Sequence, residues 1–285
     1  MSIVTFWNNE KEQTGKTLTA VAVATRMAIE RNFKILLITT GYKEATVKNC
    51  FWSDNNQKKF AGKTSNVAVE SGIEGLSKLI ASNKIQPTII TDYTQVIFKG
   101  RLEVLNGFFG AQDADEQMNM QNYKKTSECY PELIKIANQF YDMVLVDIDN
   151  MLGEETKKEI LEMSNVNVLV LSQRLNSLKN YSDLKNTNKE ILSPKCIPVI
   201  GRYNGQSKYN KKNITRFLEE KKEMNVVPYN TLFFEAAEET SVADLFLKLR
   251  TLKDVNDENF IFMNEVSILT NNIITRLQDL QMKMR

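Results

Sequence analysis

Lys16 and Thr17 close the segment Lys11-Glu12-Gln13-Thr14-Gly15-Lys16-Thr17. A glycine turn followed by a lysine and a hydroxyl residue is an arrangement that can hold a nucleoside triphosphate. Backbone N–H groups of the turn and the positive end of the next helix face the phosphates. The lysine reaches the β- and γ-phosphates, and the threonine hydroxyl ligates Mg²⁺. Gln13, Thr14, Gly15, Lys16, Thr17 and Leu18 are therefore the candidate nucleotide-binding residues. The tripeptide alone carries little weight, because Gly62-Lys63-Thr64 repeats it, with Lys58 five positions before Lys63. That copy follows the polar run SDNNQKKF and precedes SNVAV, so neither a buried strand nor a helix frames it. It reads as a surface loop.

The first copy has the elements that must position it. Ser2–Trp7 is a run of buried-strand type, and Lys16–Glu30 carries Leu18, Val21, Ala22, Thr25, Ala28 and Ile29 at helical spacing. Further strands are expected at residues 34–39, Leu102–Leu105, Met143–Asp147, Val166–Leu171 and 197–203. Helices are expected at 71–83, 131–140, Glu154–Met163 and within 177–192. This alternation predicts an α/β fold, a doubly wound and mostly parallel sheet with helices on both faces. No repeat or proline-rich linker divides it, so 1–285 is expected to be a single nucleotide-binding domain. Residues 111–126, polar and almost free of aliphatics, read as an exposed, mobile loop.

Composition narrows the chemistry. The chain has 285 residues, 37 basic and 35 acidic side chains, a net charge of +2 and no histidine. The missing histidine removes Ser-His-Asp triads, Cys-His pairs and histidine-based zinc sites. Cys50, Cys129 and Cys196 are scattered, with no C-x-x-C, so no disulfide framework is predicted. The opening MSIVTFWNNE lacks the basic and apolar regions of a secretion signal, and no apolar run is long enough to span a bilayer. A reduced, cytoplasmic setting is the expectation.

Glu10 stands where the general pattern G-x-x-x-x-G-K-[ST] has its first glycine. The segment fits K-G-G-x-G-K-[ST] better, with Lys11 and Lys16 in place and Glu12 and Gln13 replacing two glycines. This resembles the deviant phosphate loop of the MinD/ParA superfamily. Tyr141-Asp142-Met143-Val144-Leu145-Val146-Asp147 is similar to that family's Walker B strand, and Arg101–Gly107 to its short L-x-V-L-P strand. Val226-Val227-Pro228-Tyr229-Asn230 is similar to the late segment that contacts adenine. The resemblance implies ATP or ADP with Mg²⁺, held by Thr17 and, through water, by Asp147. It implies that Lys11 reaches a partner's nucleotide, so that ATP joins a homodimer through its nucleotide face. It also implies that Pro228 and Asn230 lie near the base. The activity implied is nucleotide-driven positioning of a cargo such as a pilus, a plasmid or division machinery, through an unidentified protein partner. Pilus-associated relatives of the TadZ/CpaE type have degenerate loops like this one, but usually carry a receiver-like domain before the first strand.

The family carries D-x-D-P after its second strand, and here Thr39-Thr40-Gly41-Tyr42 puts glycine in the water-orienting position. Weak or partner-dependent hydrolysis follows, and a scaffold without turnover is the alternative. A metabolic ligase of the dethiobiotin-synthetase kind is a further one. Asp149 is the nearest substitute water positioner, with capping of the next turn as its structural role. In Val199-Ile200-Gly201-Arg202, glycine replaces the usual asparagine, and Arg202 is a candidate to stack on a purine. Lys208, Lys211, Lys212, Arg216, Lys221 and Lys222 are a candidate DNA surface, but the interleaved Glu219, Glu220 and Glu223 favour charge pairing. Residues 257–285 form an amphipathic helix with few basic residues on its polar side, expected to pack on the domain or a partner helix and not on a membrane.

Overall fold

The computed structural model of the chain describes residues 1–10, 13–52, 72–82, 85–111, 114–187 and 194–283. Lys11, Glu12 and the second Gly-Lys-Thr copy lie outside these residues. Among them, eight strands form one sheet: β1 Ser2–Trp7, β2 Ile35–Thr39, β3 Gln95–Phe98, β4 Leu102–Leu105, β5 Met143–Asp147, β6 Val166–Leu171, β7 Cys196–Tyr203 and β8 Asn225–Pro228. Their order is β3-β4-β2-β5-β1-β6-β7-β8, parallel except for the edge hairpin β3/β4. The helices are α1 Lys16–Glu30, α2 Thr46–Phe51, α3 Ile73–Ala81, α4 Glu116–Ser127, α5 Tyr130–Ala137, α6 Glu154–Met163, α7 Leu175–Thr187, α8 Lys211–Phe217, α9 Thr231–Glu238, α10 Val242–Leu249 and α11 Glu258–Lys283.

Strand alternation builds a core on each face of the sheet. Val4, Phe6, Leu37 and Leu145 pack with α1, α9, α10 and α11. Ile3, Trp7, Leu36, Ile38 and Val146 pack with α3, α5 and α6 on the other side. Ala20, Val21, Ala22, Val23 and Ala24 of α1 have no exposure at all. Small side chains at these positions let a helix lie enclosed between the sheet and α11. Register then sets the site, because Asp147 stands opposite both Phe6 of β1 and Thr39 of β2. The loops leaving β1, β2 and β5 meet at the carboxyl edge of the sheet, where open α/β sheets bind ligands.

The expected strands are present with small shifts at their ends, and residues 71–83 contain α3. The exposed loop expected at 111–126 is instead mostly the helix α4. Its apolar stripe is too thin to read in sequence, and polar contacts do the work of folding it. The Asp115 carboxylate accepts from Met118 N at 2.7 Å, and buried Asn119 bonds the backbone at Ala111 and Ala114. Tyr123 is buried and donates to Thr40 O at 2.9 Å. The helix α11 runs inside 257–285 and buries Phe262, Val266, Leu269 and Ile273 against α1 and β8. No described helix is long and apolar enough to cross a membrane.

All three cysteines are free thiols. Burial pushes Cys129 and Cys196 up to about 12, and Cys50 well above its ordinary value. Thiolate is the reactive form, so none of the three should be alkylated in the native chain at mildly alkaline pH, and all three should react in denaturant. Mass spectrometry after brief iodoacetamide treatment checks this, and a native adduct on any of them would contradict it.

Candidate nucleotide-binding site

Gly15 takes a left-handed backbone, φ +81° and ψ 18°, and starts α1 without any side-chain cap. Only glycine holds this conformation without strain. The first turn of α1 contains no acidic residue. Its N–H groups and the positive helix end are thus arranged as an anion site requires. The loop is pressed onto β7, where a Cβ at Gly201 would lie 2.2 Å from Thr14 O. Glycine at 201 is therefore a packing requirement of the loop itself. The register of β7 against β8 shifts after Ile200, and Arg202 follows at φ +48°. This bulge turns Arg202 across the loop, with its Nη1 3.4 Å from Gln13 Oε1.

Lys16 and Asp147 are both buried and form an ion pair at 2.8 Å. Lys16 Nζ also donates to Ile148 O. Thr17 Oγ1 donates to Asp147 Oδ2 at 2.8 Å. Asp147 Oδ1 faces the ammonium but takes no aligned hydrogen bond. A hydroxyl and a carboxylate on adjacent elements are the hard oxygen donors that Mg²⁺ prefers. With the Gly15 turn and the Lys16 ammonium beside them, the residues present fit a nucleotide with its metal. No cluster of three or more Cys, Asp or Glu suited to a protein-only metal site occurs among the described residues.

A second set of groups comes from the end of β2. Thr40 Oγ1 accepts from Asp149 N at 2.8 Å and lies 3.3 Å from Asp147 O, joining the two strand ends. Asp149 Oδ1 accepts from Met151 N at 2.7 Å, so the capping role foreseen for this residue is present. Burial, and the nearby Asp147 and Glu44 carboxylates, raise Asp149, while the Met151 N–H and Lys16 oppose the rise.

A cavity of about 380 Å³ opens at this edge of the sheet. Gln13, Thr14, Gly15, Lys16, Thr17, Leu18, Asp149, Arg202, Pro228 and Asn230 all border it. Sequence candidates spread over more than two hundred positions thus converge. Asp147 lies beneath, against Lys16 and Thr17. Val227, Tyr229, Phe233 and Phe234 supply an apolar end. Asn230 caps α9, accepting from Phe233 N at 2.8 Å and donating to Asn259 at 2.9 Å. Its side chain shapes that end through the helix start.

No known protein family matches the chain, and no curated protein does. Solved structures match over nearly their whole length. The cell division ATPase MinD of Pyrococcus furiosus superposes with a TM-score of 0.64 at 14% identity, covering 95% of this chain and 99% of that one. A ParA family ATPase from Chlorobium tepidum TLS gives 0.61 at 14%, covering 94% and 98%. A putative plasmid partition protein of Borrelia burgdorferi B31, bound to AMPPNP, gives 0.60 at 15%, covering 100% and 99%. The fold is that of the ParA/MinD ATPases.

On this ParA/MinD scaffold the chain adds features that sequence reasoning missed. Asn8, buried at the end of β1, donates to Thr14 Oγ1 at 3.4 Å and ties the loop to its strand. Glu10, in the first-glycine position, turns its carboxylate to the Ser172 and Ser177 hydroxyls, with Ser172 Oγ at 3.2 Å. Asn150 donates to Glu10 O at 2.9 Å. The added charge is thereby held by hydroxyl donors beyond β6. Glu44 borders the cavity beside Asp149. A glycine three residues before a glutamate was the one signal for it in the sequence. Within the basic cluster, Lys211 pairs with Glu265 at 3.2 Å and Glu223 at 3.5 Å, while Lys208, Lys212, Arg216, Lys221 and Lys222 are exposed.

Proposed function

We propose that the chain is an ATP-binding switch of the ParA/MinD kind, which dimerises around ATP and Mg²⁺, positions a partner, and hydrolyses ATP slowly. The observation that carries this reading is the Gly15 turn, which opens α1 directly over Lys16, Thr17 and buried Asp147. Lys16 would meet the β- and γ-phosphates. Thr17 and Asp147 would hold Mg²⁺, whose charge would offset that of the phosphates. Arg202 lies across the phosphate loop, which supports a contact with phosphates over one with the base. The apolar end near Pro228 supports a place for the base. Lys11 is proposed to reach the partner's nucleotide, so that two lysines from different chains share the phosphate charge and assembly depends on the γ-phosphate.

Calorimetric titration of the full chain with ATP and ADP, with Mg²⁺ present, tests binding. Size-exclusion chromatography of the same samples tests assembly. Saturable binding of both nucleotides is expected, with dimer only in ATP and neither in Lys16→Ala. Binding without assembly would leave a monomeric nucleotide scaffold, and no binding would remove the reading.

A further inference from the structure

Residue 41 carries no side chain, yet the space beside it is filled. A Cβ built there would lie 2.5 Å from Glu44 Cβ, 3.2 Å from Glu44 Cγ and 3.7 Å from Asp149 Oδ2. The stem of Glu44 therefore occupies the volume that a side chain at 41 would take. Glu44 borders the same cavity as Lys16, Thr17 and Asp149. It is also held in place, because Oε1 accepts from Thr46 N at 2.8 Å and from the Thr46 hydroxyl. The Gly41 main chain under it is fixed in turn. Gly41 O accepts from Phe108 N at 2.9 Å, and a Cβ on Gly107 would meet that oxygen at 2.3 Å.

We propose that Glu44 positions the attacking water for ATP hydrolysis, working from the volume that residue 41 leaves open beside Asp149. The proposal rests on the nucleotide reading above and adds the group that reading lacks. Phosphoryl transfer depends on placing the nucleophile in line, and a carboxylate held by a backbone N–H does this without covalent chemistry. The water oxygen bonds to the γ-phosphorus. The bond from that phosphorus to the β,γ-bridging oxygen breaks, and its electron pair leaves with ADP. The water proton passes to the Glu44 carboxylate and from there to solvent, giving ADP and inorganic phosphate.

The test measures steady-state hydrolysis and ATP affinity side by side on the full chain with Mg²⁺. Glu44→Gln keeps an acceptor for Thr46 N and so retains the fold. Its kcat is expected to fall at least about tenfold while Kd for ATP moves less than about twofold. Gly41→Ala, whose Cβ displaces Glu44, should lose turnover in the same way. The double change Gly41→Asp with Glu44→Gly, which also removes the Cβ that a side chain at 41 would meet at 2.5 Å, returns a carboxylate to this volume and should recover part of the rate, which a purely structural role for Glu44 does not predict. An unchanged kcat in Glu44→Gln overturns the proposal, as does a wild-type chain that binds ATP and never turns it over. Failure of the wild-type chain to bind ATP overturns both this proposal and the nucleotide reading, and the titration reports it separately.

Discussion

Lys16→Ala is expected to destabilise the ligand-free chain by about 3 kcal/mol, in addition to removing the proposed nucleotide binding. The reason is the partner left behind. Lys16 and Asp147 are paired at 2.8 Å with side chains only 9% and 4% exposed. Removing the ammonium leaves a buried carboxylate with the Thr17 hydroxyl as its side-chain hydrogen-bond donor. For a chain of this size the midpoint of thermal unfolding should drop by about 5 °C. Asp147→Asn placed on top of Lys16→Ala removes the stranded charge, so most of the lost stability should return while binding stays absent. A double-mutant cycle by thermal denaturation separates the two effects. Equal stability of Lys16→Ala and wild type would show that the pair is not formed in the ligand-free chain.

Gly201→Ala is the second large effect, and it acts without touching any charged group. The new methyl would lie 2.2 Å from Thr14 O and 2.9 Å from Val170 Cγ1. Thr14 O belongs to the backbone of the phosphate loop, so relief requires the loop to lift away from β7. Overpacking of this kind costs about 1–3 kcal/mol. The larger consequence is for binding, because the N–H groups proposed to face the phosphates move with the loop. ATP affinity should fall at least about tenfold, since displacement of a binding group by about 1 Å is enough to cost that much. Gly205→Ala is the control. A Cβ there meets Tyr203 Cε1 at 3.8 Å, an ordinary contact, and both stability and affinity should stay near wild type. Calorimetry on the two variants decides it, and equal affinities would mean the loop does not rest on Gly201.

The central strands and α1 were legible in sequence because their apolar residues recur without interruption and burial follows from that pattern alone. Helix α4 was not, because its local signal is a single Asp115 cap, while Asn119 and Tyr123 hold it through hydrogen bonds to backbone that is irregular or distant. The β3 strand is short, partly exposed and at the edge, so it carries little apolar signal. Of the site, the phosphate loop and Asp147 were readable because strand, turn and helix leave a pattern along the chain. Gly201 read as a departure from a family pattern, while its physical cause is the approach of Thr14, nearly two hundred residues earlier. Arg202 was readable as a cation near the site, but its direction depends on a positive φ and a register shift that sequence does not announce. Glu44 was overlooked for a similar reason, since its one signal, the missing side chain at 41, shows its meaning only once the neighbour that fills the space is seen.

The hydroxyl of Tyr123 ties the floor of the cavity to the outer surface. Thr40 bridges the β2 and β5 ends from inside, and its carbonyl is gripped by Tyr123 of α4. At the start of that helix, Glu116 accepts from Tyr42 at 2.6 Å and pairs with Lys43. A rearrangement of residues 40–44 around a triphosphate would thus have to drag α4 along or break a buried hydrogen bond, at about 1 kcal/mol. On the proposed reading the helix would be a lever with its short arm at the cavity and its long arm on the outside, where a partner could feel whether the fuel is intact.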